Sequence, residues 1–406
     1  MTESTSVWRR FRASVWPYAA LSGSYFAYIG FFNPFLPLWL QSLGLSLGTI
    51  SVMVSLQSAT RLYAPYLWGW LGDHTGRTEW LLRVAASGAM LTSLGLWFSW
   101  PVTTLTVLLI VMFTLTGAMM PMSEAALVKR LSEDGGFDAR RYGRVRLWGS
   151  VGFLLTVTVA GAGFERDGMG TFAYWTSGIL AMVAAVCWLI PSAHTPRSAD
   201  SAGGLRGIWR IPHLRWLYAQ VFFHVLSHTA MYVFFSLYLD SLGYRKSTIG
   251  LMWAISVVAE IIWFFMQSRW MSQARTGTWL VAVSAVSVLR FALLSGAAQW
   301  PSVLAATQLL HALTFAAHHT LCMALITRAC PPAWRGRAQA LYTTIGYGLA
   351  AVLAGALGGL VAQHWGLRWV FVLATASAVV AVAMAWRVRQ LGDAQPLAPP
   401  PVALKG

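Results

Sequence analysis

Apolar stretches of about 20 residues recur along nearly the whole chain, from Val15 to the neighbourhood of Arg389, each long enough to cross a hydrocarbon core of about 30 Å. The 406 residues are 57% hydrophobic and only 10% charged, where a soluble chain carries about 25% charge. A water-exposed surface cannot be built from that composition. The stretches place helices near 15–40, 47–71, 79–99, 102–127, 143–163 and 171–191, then near 214–240, 248–269, 278–297, 302–327, 337–363 and 367–388. The expected fold is all-α and integral to the membrane, with twelve transmembrane helices in two six-helix, pseudo-symmetric bundles. The bundles occupy residues 1–191 and 214–390. Between them, 192–213 is polar, contains Pro196, Gly203 and Gly204, and reads as a cytoplasmic linker; the proline-rich segment 391–406 reads as a disordered cytoplasmic tail.

Arg9, Arg10 and Arg12 precede the first apolar run in the manner of a secretory signal. The run then passes twenty residues without a small-residue cleavage site, so it reads as a retained first helix. Cys187, Cys322 and Cys330 lie in or beside apolar segments and supply neither a disulfide framework nor metal-ligand spacing, so no metal and no cofactor is expected. The formal net charge of +16 follows topology: about 23 of the 29 Lys and Arg fall on the termini and alternate loops of one side, and about 4 on the other. That asymmetry puts both termini in the cytoplasm, with a bacterial inner membrane as the location. Loops this short leave no basic domain for a nucleic acid. Lipid is the expected surrounding, and a monomer the expected state.

An internal repeat organises the chain. Leu38-Trp39-Leu40-Gln41-Ser42-Leu43-Gly44, followed by Thr49-Ile50, reappears half a chain later as Leu237-Tyr238-Leu239-Asp240-Ser241-Leu242-Gly243, followed by Thr248-Ile249. Gly143-Arg144-Val145-Arg146 is echoed weakly by Gly336-Arg337-Ala338-Gln339. Two parallel halves place a ligand site at their interface near mid-membrane.

Four ionisable residues fall inside the spans: Arg61, Glu124, Glu260 and Arg290. Each would cost about 2.5–3.5 kcal/mol facing lipid, so each must pair or face an aqueous cavity. Arg61 and Glu260 occupy equivalent positions of the repeat, which predicts an ion pair across the interface; a fixed pair that only holds helices together is the competing reading. Gln220, His224 and His228 share one helix face, and Gln308 and His311 another, with His318 and His319 two turns on. Such histidines either relay protons or hydrogen-bond a neighbouring helix. Asn33-Pro34 and Pro37 remove backbone hydrogen bonds within the first span, making Asn33 a ligand contact or a packing kink. Gly346, Gly348, Gly355, Gly358 and Gly359 permit close helix approach. Most of the 22 Trp belong to interfacial belts, with Trp148 and Trp263 as candidates for stacking on a substrate ring.

Gly69-Trp70-Leu71-Gly72-Asp73-His74-Thr75-Gly76-Arg77, after the second span, resembles the signature loop of the major facilitator superfamily. The resemblance implies the major facilitator fold and a gating loop in which Asp73 accepts charge-assisted hydrogen bonds beside Gly69, Gly76 and Arg77. Thr78 departs from it, standing where a second basic residue is common. Glu124-Ala125 with Tyr142-Gly143-Arg144-Val145-Arg146-Leu147-Trp148-Gly149 is similar to the matching segment of proton-coupled sugar symporters of the lactose permease type. That similarity implies substrate binding by Glu124 and Arg146, and matches Glu260, Arg290 and His311 to the symporters' glutamate, arginine and histidine. Thr314 stands where those symporters place a proton-carrying carboxylate. Leu310-His311, Thr314-Phe315 and His319 instead resemble the related phenylpropionate permease group.

The resemblance implies a secondary transporter, not an enzyme, that imports a small organic acid, an aromatic one above all, together with protons by alternating access. The expected substrate contacts are Asn33, Glu124, Arg146, Trp148, Trp263 and Arg290; the proton-coupling residues are Glu124, Glu260, His311 and His319. The proton gradient supplies the energy. A sugar or nucleoside symporter of the same fold is the nearest alternative. A membrane oxidase lacks its clustered histidine boxes here, and a non-transporting sensor remains a third reading.

Overall fold

The structure, a computed structural model, describes residues 2–117, 119–132, 139–190, 205–271 and 276–393. All regular structure among the described residues is helical. The amino-terminal half contains α1 (Thr2–Ser42), α2 (Leu47–Thr75), α3 (Thr78–Leu94), α4 (Val102–Thr116), α5 (Met119–Ser132), α6 (Ala139–Asp167) and α7 (Phe172–Leu189). The carboxy-terminal half contains α8 (Leu205–Arg210), α9 (Pro212–Ser241), α10 (Lys246–Trp270), α11 (Thr276–Ala297), α12 (Pro301–Leu309), α13 (His318–Ala329), α14 (Pro332–Tyr342), α15 (Ala351–Trp365) and α16 (Leu367–Asp393). Among the described residues, eight spans are long and apolar enough to cross a membrane by those criteria. The other four expected spans correspond to α1, α2, α3 and the α4–α5 pair; α3 has only 17 residues, and α2 carries Arg61.

The expected 102–127 span is two pieces. Pro121 has no N–H to donate to the carbonyl of Gly117 four residues earlier, so the ladder breaks there. By contrast, Pro34 and Pro37 stay inside an unbroken α1. Wide helical turns at Ala312–Ala317 and Thr343–Ala350 join α12 to α13 and α14 to α15. The expected linker 192–213 is only partly described. Its last part folds as α8, where Ile208 is buried and Trp209 packs near Tyr218, so these apolar side chains anchor it to the bundle. The tail 394–406 and residues 191–204 lie outside the described residues.

The repeat is visible as repeated backbone. Gly44 and Gly243 end α1 and α9 at φ +80° and +83°, a conformation that a Cβ would strain. In each turn the glycine N–H donates to the carbonyl three residues back, at 2.9 Å in both. Ser42 and Ser241 each donate to the carbonyl three residues back, at 2.7 Å in both. Gly168 and Gly366 form a second matched pair, at φ +80° and +93°.

Seen along the helices, the molecule has a linker end, where α2 gives way to α3 at 76–78 and where α5 and α7 end and α6 and α8 begin, and a far end, carrying the Gly44 and Gly243 turns. At the far end the halves meet closely. A Cβ built on Gly161 of α6 would stand 2.8 Å from the Lys246 carbonyl oxygen, and one on Gly250 of α10 would stand 3.5 Å from the Gly161 Cα. Gly355 and Gly359 of α15 lie equally close to Ser55 and Ser51 of α2. Glu165 accepts from the Ser247 N–H at 3.2 Å and pairs with Arg245 at 3.6 Å. The buried apolar cluster of the amino-terminal half accordingly runs on into Ala230–Ala254 and Leu367–Ala378, whereas the linker-end part of the other half forms a separate cluster around Leu217, Leu321 and Tyr342. Among the described residues the halves are packed together at the far end, and their buried apolar clusters separate toward the linker end.

Close glycine contacts hold that closure, so a Gly161→Leu substitution is expected to wedge the far ends apart. Labelling of a cysteine placed at Ser51 by an impermeant maleimide, read against the buried background of Cys187, Cys322 and Cys330, should rise in that variant; unchanged labelling would show that the seam does not depend on the approach.

Candidate functional site

The deepest charge among the described residues is Arg290, on the α11 face turned toward the α12–α13 rod and 0% exposed. Its Nε donates to the Thr307 carbonyl at 2.8 Å. One terminal nitrogen reaches His311 Nδ1 and Thr314 Oγ1, both at 3.0 Å; the other reaches Met231 Sδ at 2.9 Å and Gln308 Oε1 at 3.4 Å. A guanidinium has five N–H donors, and these five acceptors occupy them. Thr307, His311 and Thr314 lie on one helix face at spacings of four and three, so the rod presents a ready-made cradle. Ser256 of α10 donates to Gln308 Oε1 at 2.9 Å and steadies the weakest of these contacts.

His311 carries the cradle outward. Its Nε2 lies 3.9 Å from Glu260 Oε2, whose side chain is 23% exposed, while His311 itself is buried and stacks on Phe315. Behind it stand three more imidazoles. His224 stacks on His318 with ring centres 3.6 Å apart, and on His228 at 4.6 Å. His224 Nε2 lies 2.7 Å from the Thr314 carbonyl at the wide turn, and His318 Nε2 lies 3.0 Å from Gln220 Oε1. His319 points elsewhere, with Nδ1 3.0 Å from the Tyr342 hydroxyl.

On the opposite wall, Arg146 of α6 pairs with Glu124 of α5 at 2.8 Å and lies over the Phe26 ring at 5.3 Å. Both are partly exposed, at 42% and 37% of their side chains. Arg146 lies near enough to Glu260 and His319 of the other half to act on their charge, and the partly exposed charged side chains of the two halves border the cleft between them. Asn33 Oδ1 accepts from Gln57 Nε2 at 3.5 Å, bridging α1 to α2.

Several expectations meet a different geometry. The Arg61–Glu260 ion pair is not formed: Glu260 turns to His311, while Arg61 is exposed in the cleft. Arg290 is sealed in its cradle, out of reach of a solute in this conformation. Trp263 is 7% exposed and packs in the linker-end cluster of its own half, whereas Trp148 is 57% exposed. In the loop, Gly76 ends α2 at φ +62° and its N–H donates to the Gly72 carbonyl at 2.9 Å. Gly69 and Arg77 are exposed, and the side chain of Asp73 lies outside the described residues. Sequence reasoning passed over Thr307, Gln57, Tyr25, Tyr232 and Tyr347. Gln57 and Arg61, and likewise Thr307 and His311, stand four residues apart on one face, a polar periodicity that was available to find them.

Comparison with known proteins agrees with this fold. The model of the MFS_1 like family matches residues 16–373. The chain is 26% identical over 361 residues to the probable 3-phenylpropionic acid transporter of Escherichia coli (strain K12), covering 86% of this chain and 92% of that protein. It is 26% identical over 370 residues to the maltose permease of Geobacillus stearothermophilus, covering 88% and 90%. Among solved structures, that of the nucleoside transporter NupG has the same fold, with a TM-score of 0.80 at 14% identity over 92% of this chain and 98% of that one. A bacterial homologue of the human lysosomal transporter Spinster, in an inward-facing and unoccupied conformation, matches at a TM-score of 0.70 and 12% identity, over 95% and 98%. The chain is a multi-pass membrane protein and belongs to the MFS_1 like family of transporters.

Proposed function

We propose that this protein is a proton-coupled importer of a small organic acid with an aromatic ring, working by alternating access in a bacterial inner membrane with both termini cytoplasmic. The observation that carries the reading is the relay of Glu260, His311 and Arg290 on the cleft wall. Arginine only donates, so the Nδ1 of His311 is the acceptor and a neutral ring must hold its proton on Nε2, toward Glu260. The tautomer is thereby assigned by its partner. Glu260 is left as the exchangeable acid, partly wet and reached by the field of Arg146. Glu124, already joined to Arg146, serves as a substrate contact and a secondary proton site, with Asn33, Arg146 and Trp148 beside it; His319 lines the same cleft. No cofactor takes part, and the gradient drives accumulation.

The similarity to a protein named for 3-phenylpropionic acid supports an aryl acid as cargo. A second reading, a sugar or nucleoside symporter, draws on the maltose permease likeness and on the carboxylates of the cleft, which can grip hydroxyls. Competition separates the two: neutral sugars or nucleosides, but not aryl acids, would inhibit uptake by the second kind of protein.

In proteoliposomes with an inward proton gradient, Glu260→Gln is expected to abolish accumulation of 3-phenylpropionate while leaving downhill exchange. Accumulation equal to wild type would remove Glu260 from the coupling. Arg290→Gln should be harsher on the fold, because several buried acceptors lose a charged donor at about 1.5–3 kcal/mol each. Its thermal midpoint in detergent is expected to fall, and Arg290→Lys to recover it only in part, since an ammonium has three donors and no fork.

A further inference from the structure

Three arginines border the cleft, and their donors are not equally free. Arg290 is saturated by its cradle, and Arg146 is joined to a carboxylate. Arg61 makes no hydrogen bond or ion pair among the described residues, and its side chain is exposed. It lies midway along α2, about 20 Å of helix from either end, where a lipid-facing guanidinium is strongly disfavoured.

Its surroundings show which way it faces. Gln57, one turn before it on the same face, reaches Asn33 of α1; Leu62, the next residue, lies against Gly348 of the wide turn, and Tyr66, one turn beyond Leu62, has its hydroxyl 3.1 Å from Thr344 Oγ1. The charge of Arg61 reaches Tyr25 of α1, Tyr232 of α9 and Tyr347 of the wide turn. Glu124 shares Tyr25 with it, and Glu260 shares Tyr232 and Tyr347, yet neither acid comes within ion-pair distance. Among the described residues Arg61 is therefore an unpaired cation of the cleft, with phenols of both halves within range of its charge and a planar donor fork suited to a carboxylate.

We infer that Arg61 is the anchor for the anionic group of the transported solute, a carboxylate gripped bidentately, with the attached aromatic ring held against Tyr25, Tyr232 and Tyr347. This assignment rests on the reading of the cargo as an organic acid. It moves the carboxylate from Arg146 and Arg290, whose donors are engaged, to the arginine whose donors are not.

The test uses the full-length protein in vesicles, checked for folding by size exclusion, with 3-phenylpropionate and its uncharged amide as paired probes. Arg61→Gln is expected to raise KM for the acid about 10- to 100-fold, the range of a lost charge-assisted contact, while inhibition by the amide stays within error. In Arg61→Cys, reaction with 2-aminoethyl methanethiosulfonate should restore part of the acid uptake, and the uncharged methyl reagent should not; a folding defect would answer to neither. The native thiols are buried and leave the background low. An unchanged KM for the acid in Arg61→Gln, or no rescue by the aminoethyl reagent, overturns the role of Arg61 and leaves the acid symporter standing. A wild-type protein that takes up only neutral solutes overturns both.

Discussion

An ionised guanidinium shut away from water and lipid survives only if every donor it carries is met, and Arg290 imposes that condition on half of the carboxy-terminal bundle. Its acceptors come from α9, from the α12–α13 rod and from the wide turn between them. The sulfur of Met231 and the carbonyl of Thr307 are ordinary groups that become indispensable because the charge cannot leave. A wide turn also spoils the regular carbonyl-to-amide register of a helix, and His224 takes up the Thr314 carbonyl there. The histidine stack, the wide turn and the buried arginine are thus one structure. Its outward face is His311, with its tautomer settled and Glu260 beside it.

The seam between the halves obeys a different rule. At the far end it is made of close helix approaches, with Gly161 against the backbone of Gly250 and Gly355 and Gly359 against small serine side chains of α2. From the middle of the bundle toward the linker end, Glu260, Arg146 and Glu124 keep their side chains partly exposed. Small residues in lipid draw helices together by close contact, without relying on hydrophobic burial. Charged side chains keep them apart until the charge is balanced.

Much of this was legible in the chain. Span length and composition indicated the helices, and the repeat at Leu38–Gly44 and Leu237–Gly243 anticipated matched helix stops, which appear as twin glycine turns. The charged residues within the spans could be singled out from the chain alone. Their partners were not legible, for a physical reason. Equivalence in a repeat says that Arg61 and Glu260 sit at related depths, but not which rotamer or neighbour each takes. Glu260 finds His311 within its own half, a contact decided by the rotation of the α12–α13 rod, and that rotation depends on a wide turn which no periodicity announces. Pro121 could have been read as the break in the fourth span, because its missing N–H is certain from the sequence alone.

The opposed positions of Arg61 and Glu260 give the proposed coupling an electrostatic form. Arg290 keeps a constant charge in its cradle, and Arg146 is balanced by Glu124. What varies is the pair formed by Arg61 and Glu260. An empty cleft with Glu260 ionised is neutral across that pair. A cleft with a proton on Glu260 and a carboxylate on Arg61 is neutral again. Either half-loaded state leaves one net charge, which becomes costly when the cleft closes and its effective dielectric falls. A transporter that moves readily in the two neutral states and reluctantly in the charged ones carries proton and acid together, without any direct contact between them.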